Sequence, residues 1–406
     1  MSPNEQILQY PFAYETALEP AAEWTELRGT CPVATITLPD GSQAKLLTRY
    51  DDVREMLADP RFTRQDLFGG TGNSQGTATT SAAADTSESP LSVPKHGEDH
   101  QRWRRLVGKW LTAKRMAALR PQMAAIADQL LDEMTGRGSS ADLKAHFAFP
   151  LPVYVICGML GVPAEDRDRF SYWSDNFLNL TRYSAQERQT AVGELVAYMS
   201  GHIAAKRAEP TDDLLSALIE ESSGEGEALT DGELLSTGVA LLVAGHETTA
   251  NMIGKMVAML LADRTRWERL LENPSLIRST VEEALRFDAN GGFGLRRFLT
   301  EDVEIGVEVL PNGTTVVCAM AAANRDETAF DNAAEMDLAR TPNPHLAFGA
   351  GPHSCLGQAL ARTELQVTLE VLLRRLPSLE LDIPATELER LEGLLVGGLS
   401  EVPVRW

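Results

Sequence analysis

The chain has 406 residues, 43% hydrophobic and 23% charged, a mix that excludes wholesale disorder, a fibrous repeat and a disulfide-stapled miniprotein. With 37 Lys and Arg against 58 Asp and Glu, the formal charge is −21. So acidic a chain is repelled by nucleic acid and by anionic lipid, and neither is expected as a partner.

The N-terminus carries no basic n-region and no apolar core. The longest apolar run, Gly238 to Gly245, falls far short of the roughly 20 residues that cross a bilayer. Val33–Leu38 and Ala44–Thr48 read as strands, and Pro39-Asp40-Gly41 between them marks a hairpin turn. Tyr50 to Ala58 has helical spacing. Gly69 to Pro90 is small, polar and almost free of large apolar residues, so a long mobile loop is expected over about 69–93.

From Asp99 to about Leu285 the pattern is mostly helical: His100–Leu111, Met116–Thr135, Leu151–Leu160, Ala164–Leu180 and Gln186–Arg207 space apolar residues three and four apart. Thr230-Asp231-Gly232-Glu233 has capping-box spacing and opens a helix running to about Ala262, roughly 50 Å at 1.5 Å per residue. Beyond Arg286, Val303–Val309 and Thr314–Ala319 read as short strands around Leu310-Pro311-Asn312-Gly313, Ala329 to Pro344 is irregular, and Ala359 to Arg375 is amphipathic. No repeat and no clean composition break divides the chain. Residues 1–406 are expected to form one large, mainly α domain with minor β.

Cys31, Cys157, Cys318 and Cys355 are scattered and form no CxxC pair, against a disulfide framework and a structural zinc site. Reduced thiols and a cytoplasmic location are expected. Only Cys355 has unusual surroundings: His345 to Gly357 crowds three glycines, a proline and a phenylalanine around it, just before the amphipathic helix. A glycine turn at a helix N-terminus presents backbone N–H groups and a favourable dipole, which stabilise a thiolate. A second anomaly is Ala244-Gly245-His246-Glu247-Thr248-Thr249, polar and poor in helix formers yet midway along the long apolar helix.

Phe348-Gly349-x-Gly351-x-His353-x-Cys355-x-Gly357, followed by Ala359-Leu360-Ala361-Arg362, resembles the haem-binding signature of the cytochrome P450 family. The resemblance covers nearly the whole chain. It implies a single-domain P450 fold with haem between the long central helix and the helix that follows the Cys loop. Cys355 would be the axial thiolate on the iron of haem b, pushing electron density that favours O–O cleavage. Phe348 would shield the sulfur, Gly349 and Gly357 would shape the turn, and His353 would meet a propionate. Small Ala244 and Gly245 would leave room for O2. Glu247 and Thr248 match an acid–alcohol pair relaying protons to bound oxygen, whose loss would release peroxide.

Glu283 and Arg286 match the family's ExxR element and Arg340 its third member, a structural cluster for the Cys355 loop. His100, Arg104 and Arg297 match propionate ligands, with Arg296 an alternative by one residue. Two stretches depart from the family: Gly97-Glu98-Asp99-His100 replaces a Pro-Pro-Glu-His run, and Phe330-Asp331-Asn332-Ala333-Ala334-Glu335 replaces a proline-containing stretch, so an altered loop shape is expected there.

By family position the substrate walls are Leu67–Val93 (a lid), 171–195, Val239–Gly245, Asn290–Leu295 and Leu394–Gly398, with Val239, Val243, Gly292, Phe293, Leu295 and Val396 as contacts. Gly291-Gly292-Phe293-Gly294 and Gly397-Gly398 reduce side-chain bulk, which points to a bulky substrate. The motifs resemble soluble actinobacterial P450s of secondary metabolism. Hydroxylation or epoxidation of a macrolide or polyketide is the first expectation, with a terpenoid or other small molecule as the competing substrate. A haem-thiolate sensor without turnover is the reading from another class, and Glu247-Thr248 disfavours it. No flavin or nicotinamide fingerprint is present, so electrons would come from a ferredoxin and its NAD(P)H-dependent reductase. Docking would use Arg102, Arg105, Lys109 and Arg362, on a protein expected to be a monomer.

Overall fold

The structure is a computed structural model, and it describes residues 7–63, 93–94, 97–178, 183–221, 229–292, 294–306, 308–391 and 397–406. The expected loop and lid at 69–92, and the wall residues Phe293 and Val396, lie outside the described residues.

In chain order, the first elements are β1 (Leu8–Gln9), α1 (Ala22–Thr30), β2 (Val33–Thr37), β3 (Gln43–Leu47), α2 (Tyr50–Ala58) and β4 (Phe62–Thr63). A helical stretch follows: α3 (Gly97–Gly108), α4 (Ala113–Thr135), the short β5 (Ser140–Asp142), α5 (Pro150–Met159), α6 (Arg167–Leu178), α7 (Ala185–Ala208), α8 (Leu214–Glu221), α9 (Asp231–Leu261), α10 (Arg264–Glu272) and α11 (Ile277–Phe287). Then come β6 (Leu295–Leu299), β7 (Val303–Ile305), β8 (Glu308–Leu310), β9 (Thr315–Cys318), α12 (Met320–Ala323) and α13 (Gln358–Arg375). The tail holds β10 (Glu380–Leu381), β11 (Arg390–Leu391), β12 (Gly398–Leu399) and β13 (Pro403–Arg405). The chain packs as two compact units, each assembled from separate stretches.

The first unit comprises Met1–Thr80, Lys255–Cys355 and Glu380–Val402. Its centre is a mixed sheet in the order β1-β2-β3-β9-β6-β4. The expected hairpin is present: β2 and β3 pair antiparallel from Val33↔Leu47 to Thr37↔Gln43, and Gly41 turns the corner at φ +81°. Side chains alternate across the strands. Val33, Leu47, Val316 and Cys318 join one apolar cluster with Tyr50, Val53, Met56, Phe330 and Leu346. Their neighbours Ala34, Leu46 and Val317 join another with Trp24, Leu27, Tyr10 and Phe12. No side chain caps the start of α2; instead its first N–H, at Tyr50, donates to Asp326 Oδ2 at 2.8 Å.

The 303–309 run is not one strand. Gly306, at φ +60°, folds it back so that β7 pairs with β8, while β9 pairs with β6 and in parallel with β3. A sequence in which apolar and polar or small residues alternate reads alike whether straight or folded; only the left-handed backbone at Gly306 separates the two.

The second unit comprises Ser81–Gly254, Leu356–Leu379 and Pro403–Trp406. Here α13 lies against α4, and Arg120 reaches Gln366 at 3.0 Å while Arg374 and Arg375 reach Asp128 at 2.8 and 2.9 Å. The expected capping box opens α9: Glu233 N–H donates to Thr230 Oγ1 at 3.2 Å and Thr230 N–H to Glu233 Oε2 at 2.8 Å. Trp103 Nε1 on α3 donates to Thr237 Oγ1 on α9 at 2.8 Å, and Arg102 pairs with Glu233. Among the described residues, no helix is long and apolar enough to cross a membrane.

Candidate active site

Between Asn343 and Gly357 the backbone has almost no regular structure, so side chains and turns hold it in place. Leu346 is buried in the sheet cluster, and its N–H donates to Asn324 Oδ1 at 2.7 Å. Ala347 N–H donates to His345 Nδ1 at 3.2 Å, and His345 Nε2 lies 3.0 Å from Glu282 Oε2. With Nδ1 accepting, Nε2 carries the hydrogen and donates it, which fixes the neutral tautomer. Gly349 N–H bonds Leu346 O at 2.8 Å, and Cys355 N–H closes the turn on Phe348 O at 2.8 Å. Gly351 cannot be replaced cheaply: its φ is +69°, and a Cβ there would lie 2.5 Å from Ala58 Cα and 2.7 Å from Leu57 O. The chain then passes through Gly357 into α13.

The thiol this turn presents differs from the others. Cys355 is exposed, whereas Cys157 and Cys318 are buried, which pushes both thiols up to about 12. Cys31 is exposed but lies next to the start of β2, with Sγ donating to Val33 O at 3.7 Å.

Beneath the turn is a buried ionic cluster. Arg286 is 0% exposed and all five of its N–H donors are used. They go to Glu283 at 2.8 and 2.7 Å, to Asn324 O and Ala333 O at 2.9 Å each, and to Glu335 O at 2.8 Å. Glu283, also 0% exposed, further accepts Arg340 Nε at 3.0 Å, Asn343 Nδ2 at 3.0 Å and Asp337 N–H at 2.8 Å. A charge pair this deep survives only when every polar atom is answered. The divergent 330–335 stretch adapts through Asn332, whose φ of +50° lets Ala333 and Glu335 point their carbonyls at Arg286. Asn343 and the His345–Glu282 pair had no role in the sequence reading; contacts between residues this far apart leave no local spacing signal.

On α9 the polar segment does not break the helix. Thr248 Oγ1 donates back to Ala244 O at 2.9 Å, the turn-to-turn bond that lets threonine stay helical. Ala244 and Thr248 are exposed although Leu242, Ala250 and Ile253 around them are buried. Val243, Gly245 and Glu247 are half-buried and Val239 is buried. At Gly245 a Cβ would meet nothing closer than Ile156 Cδ1 at 3.7 Å, so packing alone does not demand a glycine. His246 faces the opposite way. It is 0% exposed, with the Phe149 ring edge-on at 4.2 Å, and burial lowers its pKa to about 3.

The expected cations divide between the two units. His100 is buried and Arg104 half-buried, both on α3, which starts at Gly97 despite the altered sequence there. Arg297 is buried on β6 beside a partly exposed Arg296, and donates to Arg296 O at 2.8 Å. His353 is half-buried in the Cys turn, and Leu295 lies near Gly349, its Cδ1 4.0 Å from where a Cβ would be.

The wall glycines have another explanation than empty space. A Cβ at Gly397 would lie 1.8 Å from Asn290 Oδ1, one at Gly294 2.8 Å from Cys318 O, and one at Gly291 3.0 Å from Ala321 Cβ. These positions are glycine because neighbouring chain fills the volume, so they carry no information on substrate size.

Residues 159–391 match the family model described as Cytochrome P450. The mycinamicin IV hydroxylase/epoxidase of Micromonospora griseorubida is 43% identical over 407 residues, covering 98% of each chain. The nocardicin C N-oxygenase of Nocardia uniformis subsp. tsuyamanensis is 40% identical over 398 residues, again 98% of each. A solved structure of a mutant of the mixed-function P450 MycG, in complex with mycinamicin IV, superposes with a TM-score of 0.89 at 41% identity, covering 99% of this chain and 100% of that one. The chain belongs to the cytochrome P450 family. It is a P450 monooxygenase, an oxidoreductase of the class that uses haem-thiolate iron and O2.

The residues present suit such a group. A P450 iron takes one protein sulfur, and this chain offers an exposed thiol on a rigid glycine turn. Among the described residues no group of three or more His, Cys, Asp or Glu is placed to hold a metal ion by itself. Within the unit that carries Cys355, the buried Arg297 guanidinium suits an anionic ring substituent.

Replacing Glu283 by Gln keeps the shape and leaves Arg286 and Arg340 short of their counter-charge. Urea unfolding should show a loss of about 3–5 kcal/mol; a loss below about 1 kcal/mol would mean the cluster is not the anchor of the loop. His246 gives a pH signature. Its folded pKa of about 3 lies below the ordinary 6.5, so below 6.5 the unfolded chain takes a proton the folded one refuses. This share of stability is present above pH 6.5 and lost as pH falls toward 3, at about 1.4 kcal/mol per pH unit. A His246→Asn variant lacks that loss, so its stability relative to the parent should rise by about 2 kcal/mol from pH 7 to pH 5 in urea titrations; a pH-independent gap would contradict the buried neutral imidazole.

Proposed function

We propose that this P450 hydroxylates or epoxidises a macrolide or related polyketide, with Cys355 as the axial thiolate of haem b. The observation that carries the substrate class is the 43% identity over 98% of both chains to a mycinamicin IV hydroxylase/epoxidase, supported by the fit to a MycG structure complexed with mycinamicin IV. The nocardicin C N-oxygenase relative makes oxygenation of a nitrogen the other outcome to be tested.

Haem, when bound, would supply the activation of dioxygen, one atom of which goes to the substrate while the other leaves as water with two electrons and two protons. The protein's part is to hold and move protons and to shape the surroundings. Gly349 and Gly351, both at positive φ, turn the backbone so that Cys355 is presented outward, and Phe348 packs beside His345 with ring centroids 5.8 Å apart. Arg297, His100, Arg104 and His353 would hold the carboxylates of the ring through charge-assisted hydrogen bonds. Thr248 keeps its hydroxyl proton on Ala244 O at rest. Rotation about χ1 redirects that proton to the uncovered helix face. Glu247, one residue before it and half-buried, exchanges protons with solvent and recharges the hydroxyl.

Electrons arrive from a ferredoxin and its NAD(P)H-dependent reductase, in the cytoplasm, to a monomer. Of the four cations expected to dock it, Arg102 is committed to Glu233. Arg105, on α3, and Lys109, in the turn just after it, are exposed, with Lys109 3.3 Å from Glu221, and they carry the docking proposal with Arg362.

In the Cys355→Ser variant the strongly red-shifted Soret band of the reduced, carbon monoxide-bound form should disappear; retention of that band would sink the ligand assignment. Thr248→Ala should keep the band and still consume NAD(P)H and O2, with product per electron pair falling roughly tenfold or more and peroxide appearing in its place. Unchanged coupling would remove Thr248 from the relay. Mycinamicin IV and other macrolactones, titrated into the purified enzyme beside a terpenoid panel, should displace iron-bound water; a shift with terpenoids alone would overturn the macrolide reading.

A further inference from the structure

A lone lysine sits in the most apolar part of α9. Lys255 is 2% exposed, amid Met252, Ile253, Met256, Val257 and Met259, all buried. Its Nζ lies 2.5 Å from Asp288 Oδ2 and donates to Asn290 O at 2.9 Å. Asp288 Oδ1 accepts the Asn290 N–H at 2.9 Å, so one carboxylate holds both the cation and the backbone it grips. Asn290, itself 4% exposed, passes the hold on: Nδ2 donates to Gly398 O at 2.9 Å. Gly397 is pressed against Asn290, where a Cβ would overlap both the side-chain and main-chain oxygens. On the other flank Arg390, stacked 3.3 Å over the Tyr14 ring, donates to Ala289 O at 3.4 Å. The carbonyls of Ala289 and Asn290 are thus each held by a cation.

A buried ion pair is a poor way to gain stability, since an apolar pair of equal volume is often as good or better. What it adds is direction: an ammonium selects one carbonyl and one carboxylate oxygen, which a leucine cannot do. We propose that Lys255 is a positioning residue that locks the Asp288–Gly291 backbone to the Gly397–Gly398 turn and thereby sets which ligands the enzyme accepts. This rests on the reading of those two segments as substrate walls.

The test uses the holoenzyme with two variants. Lys255→Met removes the cation, and Lys255→Met/Asp288→Leu removes both charges, so that no uncompensated carboxylate stays buried and the protein folds even if the single variant does not. Two readouts are combined: hydrogen exchange of the amides at 288–292 and 397–399, and spectral titration with two azoles of different size, imidazole and clotrimazole, in protein that keeps its carbon monoxide band. Faster exchange at both segments, with the ratio of the two azole affinities changed roughly threefold to tenfold, is the expected result. Parent-like exchange overturns the clamp, and faster exchange with an unchanged ratio overturns its role in selectivity. A lower unfolding midpoint alone, with the ratio intact, marks Lys255 as structural only. The azoles probe no macrolide, so a failure of the macrolide reading leaves this outcome standing, and failure of the haem reading shows separately as a parent enzyme with no nitrogen-ligand band.

Discussion

One buried carboxylate organises the loop that carries Cys355. The stretch from Asn343 to Cys355 has no ladder of its own, so its backbone groups must find partners elsewhere or pay for burial. Glu283 supplies the fixed point. It takes hydrogen bonds from Arg286, Arg340, Asn343 and the Asp337 N–H, and Arg286 carries the connection to the carbonyls of Asn324, Ala333 and Glu335. Asn324 then accepts the N–H of Leu346, three residues before Gly349. The Glu283–Arg286 pair is fully buried, and its strength and its fragility have the same origin: the low dielectric that makes each bond strong makes each missing one expensive.

The α9 segment solves a different problem. The proposed proton relay needs the Thr248 hydroxyl to be available on a helix that is otherwise committed to packing. The two faces of Ala244–Thr249 divide that work. His246 and Thr249 turn inward, where the imidazole is held neutral against Phe149, while Ala244 and Thr248 stay uncovered. The back-bond of Thr248 to Ala244 satisfies the hydroxyl without uncoiling the helix, so the residue keeps its proton in a position that costs little to leave.

Much of this was legible in the sequence where the signal is local. The Tyr50–Ala58 periodicity, the Thr230–Glu233 cap and the spacing around Cys355 each lie within a dozen residues, and each corresponds to an element of the structure. The partners of Glu283 lie 54 to 60 residues further on in the chain, except Arg286, and no spacing rule reaches them; only the family pattern pointed to Arg340. Glycine was the least readable letter. At Gly306 it turns a strand back, at Gly351 it admits the backbone of Ala58, and at Gly397 it admits Asn290, three different demands written identically. Lys255 was missed because a cation in an apolar run is normally a solvated one, and its counter-charge lies beyond the next helix.

The interleaving of the two units constrains how the chain is made. The central sheet of the first needs β9 and β6 from beyond residue 294, yet its β1, β2 and β3 are made well before them. In the second, β5 near residue 140 finds its antiparallel partner only in Pro403–Arg405. Neither nucleus can close during vectorial synthesis, so the early strands wait with open edges for several hundred residues. A product cut before Pro403 would leave β5 without that partner, so the three residues of β13 close a sheet opened some 260 residues earlier.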